Sequence, residues 1–348
     1  MVAGLFLLPG LLFAQTDAVR ICAGGDVTLG TNLGSYRMVP NDPHALLAPL
    51  RPLVHDADIL LLNVEGAIGE GPAPSKGGPK STQFFAFRSP PAAAGALRRL
   101  GFPAPVVGNV ANNHSRDAGE TGLIQTVRHL AAAGVQVTGV DALPTVVITP
   151  AGDTVAFLGF STSGGPDPRD LEAVRYAVRR AAGHYPRVVV TMHMGAEGSK
   201  AQRTRDQTEI FLGSINRGNM VAFTRTAVAA GAKLVSGHGP HVMRAMEWQG
   251  DALIMYSLGN LVTYGPFSFG EPMNRGAVAC ATLDPEGRVV EAVVRSTRQV
   301  KPGYVYRDST RRAAVLVDSL SRLDFPGTGA SVRADGTVLR PLGAPVRR

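Results

Sequence analysis

Short apolar runs in this chain stop abruptly at glycine, asparagine, histidine or an acid, and that punctuation limits the fold more than any other feature of the sequence. Ile59-Leu60-Leu61-Leu62 gives way to Asn63-Val64-Glu65-Gly66, and Val188-Val189-Val190 to His193-Met194-Gly195-Ala196-Glu197. Leu234-Val235 is followed by Gly237-His238-Gly239-Pro240-His241, the run ending at Val107 by Asn112-Asn113-His114, and residues 19–25 by Asp26. Apolar runs this short suit strands buried on both faces, as in a sheet covered by helices. In such proteins the loops leaving the strand ends assemble the site. Four of the eight histidines fall in these segments. Neutral imidazole, carboxylate and the asparagine side-chain oxygen together make a ligand set for divalent metals.

Helical patterns separate the runs. Residues 119–133 place Leu123, Val127 and Leu130 on one face and stop at Gly134. Residues 45–54, 90–100, 169–182 and 219–230 also read as helices. Further strands are expected near Val135, Val146, Val155, Ala277 and Val289. A hairpin is expected from 242–248 to 252–256, turning at Gln249-Gly250-Asp251. This alternation predicts an α/β fold with a mixed sheet or two packed sheets. Residues 66–82 carry Gly, Pro and Lys without periodicity and read as a long surface loop beside the site.

One main domain is predicted over 19–300, followed by an extension of helix and hairpin over 301–348. Residues 1–14 are uncharged, too short to span a bilayer, and end Leu12-Phe13-Ala14-Gln15. They resemble a secretory h-region cleaved after Ala14, so the chain is expected to be exported, periplasmic or secreted and associated with the envelope. Only Cys22 and Cys280 are present, both in apolar strand-like runs. Two buried free thiols are expected, with pairing the alternative if the strands are neighbours.

A formal charge of +8 comes mostly from arginine and would steer an anionic substrate, polymer or surface, unless it only reflects arginine-rich composition. No aromatic-interleaved basic patch is visible, so a nucleic-acid partner is not expected. A Gly-x-Ser-x-Gly elbow, a P-loop and a Gly-x-Gly-x-x-Gly turn are all missing, which removes serine hydrolases, P-loop NTPases and Rossmann dehydrogenases.

Each polar segment has a plain structural alternative. Asp26 is either a turn aspartate or a ligand, and Glu65 is the obvious second carboxylate. Asn112 and Asn113 either satisfy turn backbone or supply an oxygen ligand, with His114 free to act as a general acid. His238 and His241 share one glycine-bounded turn, which packing alone does not explain. Tyr256-Ser257-Leu258-Gly259-Asn260 reads as a buttress of the site.

In order along residues 19–265, the segments resemble the CapA (poly-γ-glutamate capsule synthesis) family of the calcineurin-like metallophosphoesterases. The matching pieces are Gly25-Asp26-Val27-Thr28, Asn63-Val64-Glu65-Gly66, Ala111-Asn112-Asn113-His114 with Gly119, and His193-x-Gly195-x-Glu197. Gly237-His238-Gly239-Pro240-His241-Val242 and Tyr256-Ser257-Leu258-Gly259-Asn260 complete the set. The resemblance implies a four-layer α/β/β/α sandwich binding one or two divalent ions (Zn, Mn, Fe or Mg). It implies Asp26, Asn113, His193, His238 and His241 as ligands beside Glu65, and His114 as proton donor. Asn63, Asn112, Glu197, Ser257 and Asn260 would bind substrate or support the ligands. The chain departs from the superfamily at Thr28, where a histidine is usual, at Asn63 and Glu65, which replace a bridging aspartate, and at the doubled spacer Gly239-Pro240. The implied activity is phosphoester hydrolysis on an anionic small molecule or polymer, in partnership with a membrane-bound polymer synthase. The alternative is a non-catalytic component that binds and exports an anionic polymer.

Overall fold

The strand Val19–Leu29 is the axis of the larger sheet. Its first half, from Val19 to Gly24, pairs antiparallel with Arg275–Leu283. From Asp26 onward the same edge pairs parallel with Asn260–Tyr264. The opposite edge pairs parallel with Ile59–Val64, and the sheet continues through Val106–Asn109 to Val135–Thr138. Beyond Arg275–Leu283 it continues through Val289–Val300 and Tyr304–Arg307, eight strands among the described residues. A second sheet of six strands runs Met246–Gln249, Ala252–Met255, Leu234–His238, Val188–His193, Thr154–Ser161, Thr145–Ile148. The computed structural model describes residues 18–31, 43–70, 85–265 and 267–341. The export-like segment and most of the loop expected at 66–82 lie outside the described residues.

Alternation along each strand sorts its side chains between two faces. Ile21, Ala23, Ile59 and Leu61 meet Phe157, Val189, Leu234 and Met255 in a core between the sheets. Cys22, Leu60, Leu62 and Val106 face outward onto Leu97, Leu100, Leu123 and Leu130 of the helices Ala92–Gly101 and Gly119–Ala132. On the other side, Leu158, Val190, Val235 and Ile254 pack on Val174 and Val178 of Leu171–Ala182 and on Val221 and Phe223 of Met220–Ala229. Three cores make four layers, helix–sheet–sheet–helix, the arrangement the resemblance implies. Burial of each of these large aliphatic side chains contributes roughly 1.5–3 kcal/mol, which is why the runs stay apolar on both faces.

Helix starts follow their caps. The Asp170 carboxylate accepts from Ala173 N–H and the Asn219 side-chain oxygen from Ala222 N–H, both at 3.0 Å. The helix expected over 45–54 is broken into Pro43–Leu47, a 3-10 turn Ala48–Leu50 and Arg51–Val54. Pro49 and Pro52 have no N–H to extend a single ladder. The hairpin after 242 starts only at Met246, since the preceding residues form the turn that carries His241. Residues 301–341 are tied to the domain: Tyr304–Arg307 is an edge strand, and helix Arg312–Asp324 inserts Ala313, Ala314 and Val317 into the core between the sheets.

Cys22 and Cys280 stand opposite one another in register and are joined by a disulfide. This corrects the expectation of two free thiols. Nothing local in the sequence shows that strands so far apart along the chain are neighbours.

Candidate metal centre

Asp26 sits where the axial strand changes partner, at a slip in the pairing between Ala23 and Val27. Backbones crowd there: a Cβ at Gly25 would lie 2.1 Å from the carbonyl oxygen of Gly259. Glycine serves close approach rather than a turn, and Asp26 N–H donates to that same oxygen at 2.9 Å. The strand exit expected at Asp26 is thereby corrected. The strand continues to Leu29 with Asp26 inside it.

The remaining groups arrive from both sheets at one end. Glu65 follows Ile59–Val64 directly, while His193 and His238 end adjacent parallel strands as register partners. His241 adopts a left-handed backbone with φ 58°, an uncommon state for a residue with a Cβ and one often found at functional turns. One atom each of Asp26, Glu65 and His241 lie within 4.8 Å of one another. His193 Nε2 is 3.7 Å from Glu65 Oε1, His238 Nδ1 is 3.6 Å from Asp26 Oδ1, and His241 Nε2 is 3.5 Å from Glu65 Oε1.

Those separations narrow the chemistry open to the cluster. They are too long for hydrogen bonds and too short for an intervening water. Two ligands bound at about 2.1 Å to one tetrahedral ion stand about 3.4 Å apart. Both Glu65 oxygens, His193 Nε2 and His238 Nδ1 are buried and make no hydrogen bond among the described residues. Buried polar atoms of that kind call for a partner, and a divalent cation fits this donor set.

Charge is distributed unevenly. Burial pushes Glu65 well above the usual carboxylate range. Burial likewise pushes His193 well below the usual imidazole value and His238 down to about 4. At His241 burial is outweighed by the charges of Glu65 and Asp26, so its pKa rises. Asp26 also resists burial: the hydrogen bond and charge of His241 hold it well below the usual range. Burial thus favours the neutral imidazoles of His193 and His238, each with one ring nitrogen open to a cation, while His241 is drawn toward its charged form by the two carboxylates.

Asparagines frame the cluster. Asn63 donates to Asp26 Oδ1 at 2.7 Å and lies 3.1 Å from His193 Nδ1, while Asn260 Oδ1 lies 2.8 Å from His241 Nδ1. Asn112 donates to Val64 O at 2.8 Å and accepts from His114 N–H at 3.0 Å, fixing the turn that carries His114. His114 Nε2 faces Glu65 Oε1 at 3.9 Å, and its Nδ1 lies 2.7 Å from Asp117 Oδ2. Glu197 Oε2 approaches His241 Nε2 at 3.9 Å. Asn113 is half-buried in the turn between Asn112 and His114. Ser257 serves its own turn, with Oγ accepting from Gly259 N–H at 3.2 Å.

Three neighbours went unmarked in the sequence. Asn109 donates to Asn63 Oδ1 at 2.9 Å, Asp117 orients His114, and Arg217 pairs with Glu197. The His114-x-x-Asp117 spacing could have revealed the second. Arg217 reaches the site only through a small hairpin, Ile210–Phe211 with Ile215–Asn216, whose two-residue strands leave no periodic signal.

A family model described as bacterial capsule synthesis protein PGA_cap matches residues 20–264. The chain is 29% identical over 171 residues to the PGA biosynthesis protein CapA of Bacillus subtilis (strain 168), covering 44% of this chain and 41% of that one. It is 29% identical over 188 residues to the capsule biosynthesis protein CapA of Bacillus anthracis, covering 48% and 41% respectively. The match thus spans about two fifths of the length of these relatives. Among solved structures, GAP50, the anchor in the inner membrane complex of Plasmodium, aligns with a TM-score of 0.41 and 8% identity over 87% of this chain and 95% of that one. A 5'-nucleotidase precursor from Thermus thermophilus aligns with a TM-score of 0.41 and 14% identity over 89% and 59%.

Proposed function

This chain belongs to the bacterial capsule synthesis (PGA_cap) family, and from that premise we propose that it is an exported, metal-dependent hydrolase of phosphoester type. Its place would be in the synthesis of an anionic capsule or envelope polymer such as poly-γ-glutamate, beside a membrane-bound polymer synthase. The observation that carries the reading is the set of buried, unbonded atoms on Glu65, His193 and His238 at the spacing of ligands to one ion. Asp26, Glu65, His193, His238 and His241 would hold one or two divalent ions. When bound, such an ion supplies Lewis acidity toward a phosphoryl oxygen and lowers the pKa of a water.

The protein's own part is proton delivery and orientation. Asp117 accepts from His114 Nδ1–H and stabilises the imidazolium, so the opposite nitrogen is turned toward Glu65 and a leaving oxygen there. Asn260 Oδ1 accepts from His241 Nδ1–H and holds that ring in place, as outer partners of ligands commonly do. Export is supported by the Cys22–Cys280 bridge, since disulfides persist in oxidising compartments. No helix of the described residues is long and apolar enough to cross a membrane.

One observation favours the second reading, a metal-dependent binding component without turnover. Thr28 stands where the superfamily carries a histidine, and its hydroxyl donates to the Glu65 carbonyl at 2.8 Å. His241→Ala separates the readings. Metal affinity should fall at least about tenfold, and the melting temperature in the presence of metal should fall with it. A hydrolase would lose phosphoesterase activity in parallel. Fully loaded wild-type protein that turns over no phosphomonoester or diester would instead favour the binding component.

Loading should also release protons. His241 has a raised pKa, so a divalent ion competes with a proton for that imidazole. Affinity should therefore rise with pH above neutrality, and calorimetry in buffers of different ionisation enthalpy should show a net proton release. Binding heats that do not depend on the buffer would contradict this charge distribution.

A further inference from the structure

We propose that Arg217 is the oxyanion-binding residue of this site and that Glu197 occupies its place when no substrate is bound. The inference rests on the metal-centre reading above and names the recognition element for its substrate.

Arg217 is buried at 3% exposure, and its ion pair is to the partly exposed Glu197. Its Nε donates to the Gly195 carbonyl at 3.0 Å, which fixes the plane of the guanidinium. Its Nη2 reaches the turn between the two histidine ligands, 3.2 Å from where a Cβ on Gly239 would stand. A residue larger than glycine at 239 would occupy that approach. Nη2 lies 3.0 Å from Glu197 Oε1, while the other oxygen of Glu197 points at His241 Nε2 from 3.9 Å. The Glu197 side chain is partly exposed at 17%, and it hangs between Gly195 and Gly198, both at positive φ.

A buried guanidinium beside a centre built to bind divalent cations is unfavourable unless it serves an anion. Glu197 satisfies that requirement in the free protein. Its carboxylate bridges from Arg217 toward His241, the span a substrate oxyanion would cover with one oxygen toward the centre and another on Nη2. The fork geometry of arginine suits phosphate and carboxylate alike. Arg244, one loop away, is already committed, with Nη1 and Nη2 paired to the two Glu209 oxygens at 2.7 and 2.8 Å.

Binding of inorganic phosphate and of glutarate is to be measured by calorimetry on the whole chain, with and without Mn2+, for wild type, Arg217→Gln, Arg217→Lys and Glu197→Gln. Metal content and melting temperature are recorded for each. Arg217→Gln should weaken the preferred anion at least about tenfold, and Arg217→Lys should weaken it less. Glu197→Gln should act with the opposite sign and tighten binding severalfold, because it removes the internal competitor. A merely structural pair would lose stability in all three variants without that reversal. Preference for phosphate identifies a phosphoester, and preference for glutarate a polymer carboxylate. Either preference supports the assignment if the reversal is present. Glu197→Gln binding no tighter than wild type, Arg217→Gln binding within twofold of it, or wild type binding neither anion would overturn the proposal. Wild type that takes up no Mn2+ but shows the reversal would overturn the metal centre and leave Arg217 assigned.

Discussion

His114→Ala should leave metal content unchanged and lower turnover by about 10²–10⁴-fold, the usual size of a general-acid contribution. The residue is buried with Nε2 3.9 Å from Glu65 Oε1 and Nδ1 held by Asp117, so its loss removes a proton donor and no ligand in the cluster. The deficit should concentrate on esters with poor leaving groups, since a p-nitrophenolate departs without protonation while an alkoxide does not. Asp117→Asn should give a smaller deficit, because a neutral amide no longer stabilises the imidazolium. Parallel rate measurements on p-nitrophenyl and alkyl phosphates check both. A loss equal for every leaving group would remove His114 from proton transfer.

Reduction of the Cys22–Cys280 bridge should be the largest single change in stability. The bond closes a sequence separation of 258 residues, and the loss of unfolded-chain entropy from so long a loop places its contribution at about 2–5 kcal/mol. Both cysteines are buried in the layer between the large sheet and its helices, so their pairing also fixes the register of the axial strand. Urea unfolding with and without reductant should show the midpoint falling on reduction, and denatured unreduced protein should titrate no free thiol. Two free thiols in protein recovered from an oxidising compartment would contradict the bridge.

Much of this arrangement was legible in the sequence where a residue's role is local. Leu60 and Leu62 must be covered on one side and Leu61 on the other, so an apolar run flanked by polar punctuation already specifies a doubly buried strand. The histidines of the Gly237–His241 turn announce themselves by spacing. What was not legible depends on distant neighbours. Asp26 was expected at a strand exit because the apolar run stops there, whereas the missing side chains of Gly24 and Gly25 admit Leu261 and the Gly259 carbonyl and let the strand run on. Cys22 could not be matched to Cys280, nor Arg217 to Glu197, without knowing which strands and loops lie side by side. Pro49 and Pro52, by contrast, were visible, and their missing N–H groups explain the broken helix.

Side chains from both sheets meet at their shared end with the spacing of ligands to one metal ion. Crystals grown with Mn2+ and measured at wavelengths bracketing the manganese absorption edge test it directly. Anomalous density is expected within the cluster of Asp26, Glu65, His193, His238 and His241, at about 2.0–2.3 Å from their ligand atoms. Crystals saturated with Mn2+ that show no anomalous peak within reach of those five residues would contradict it.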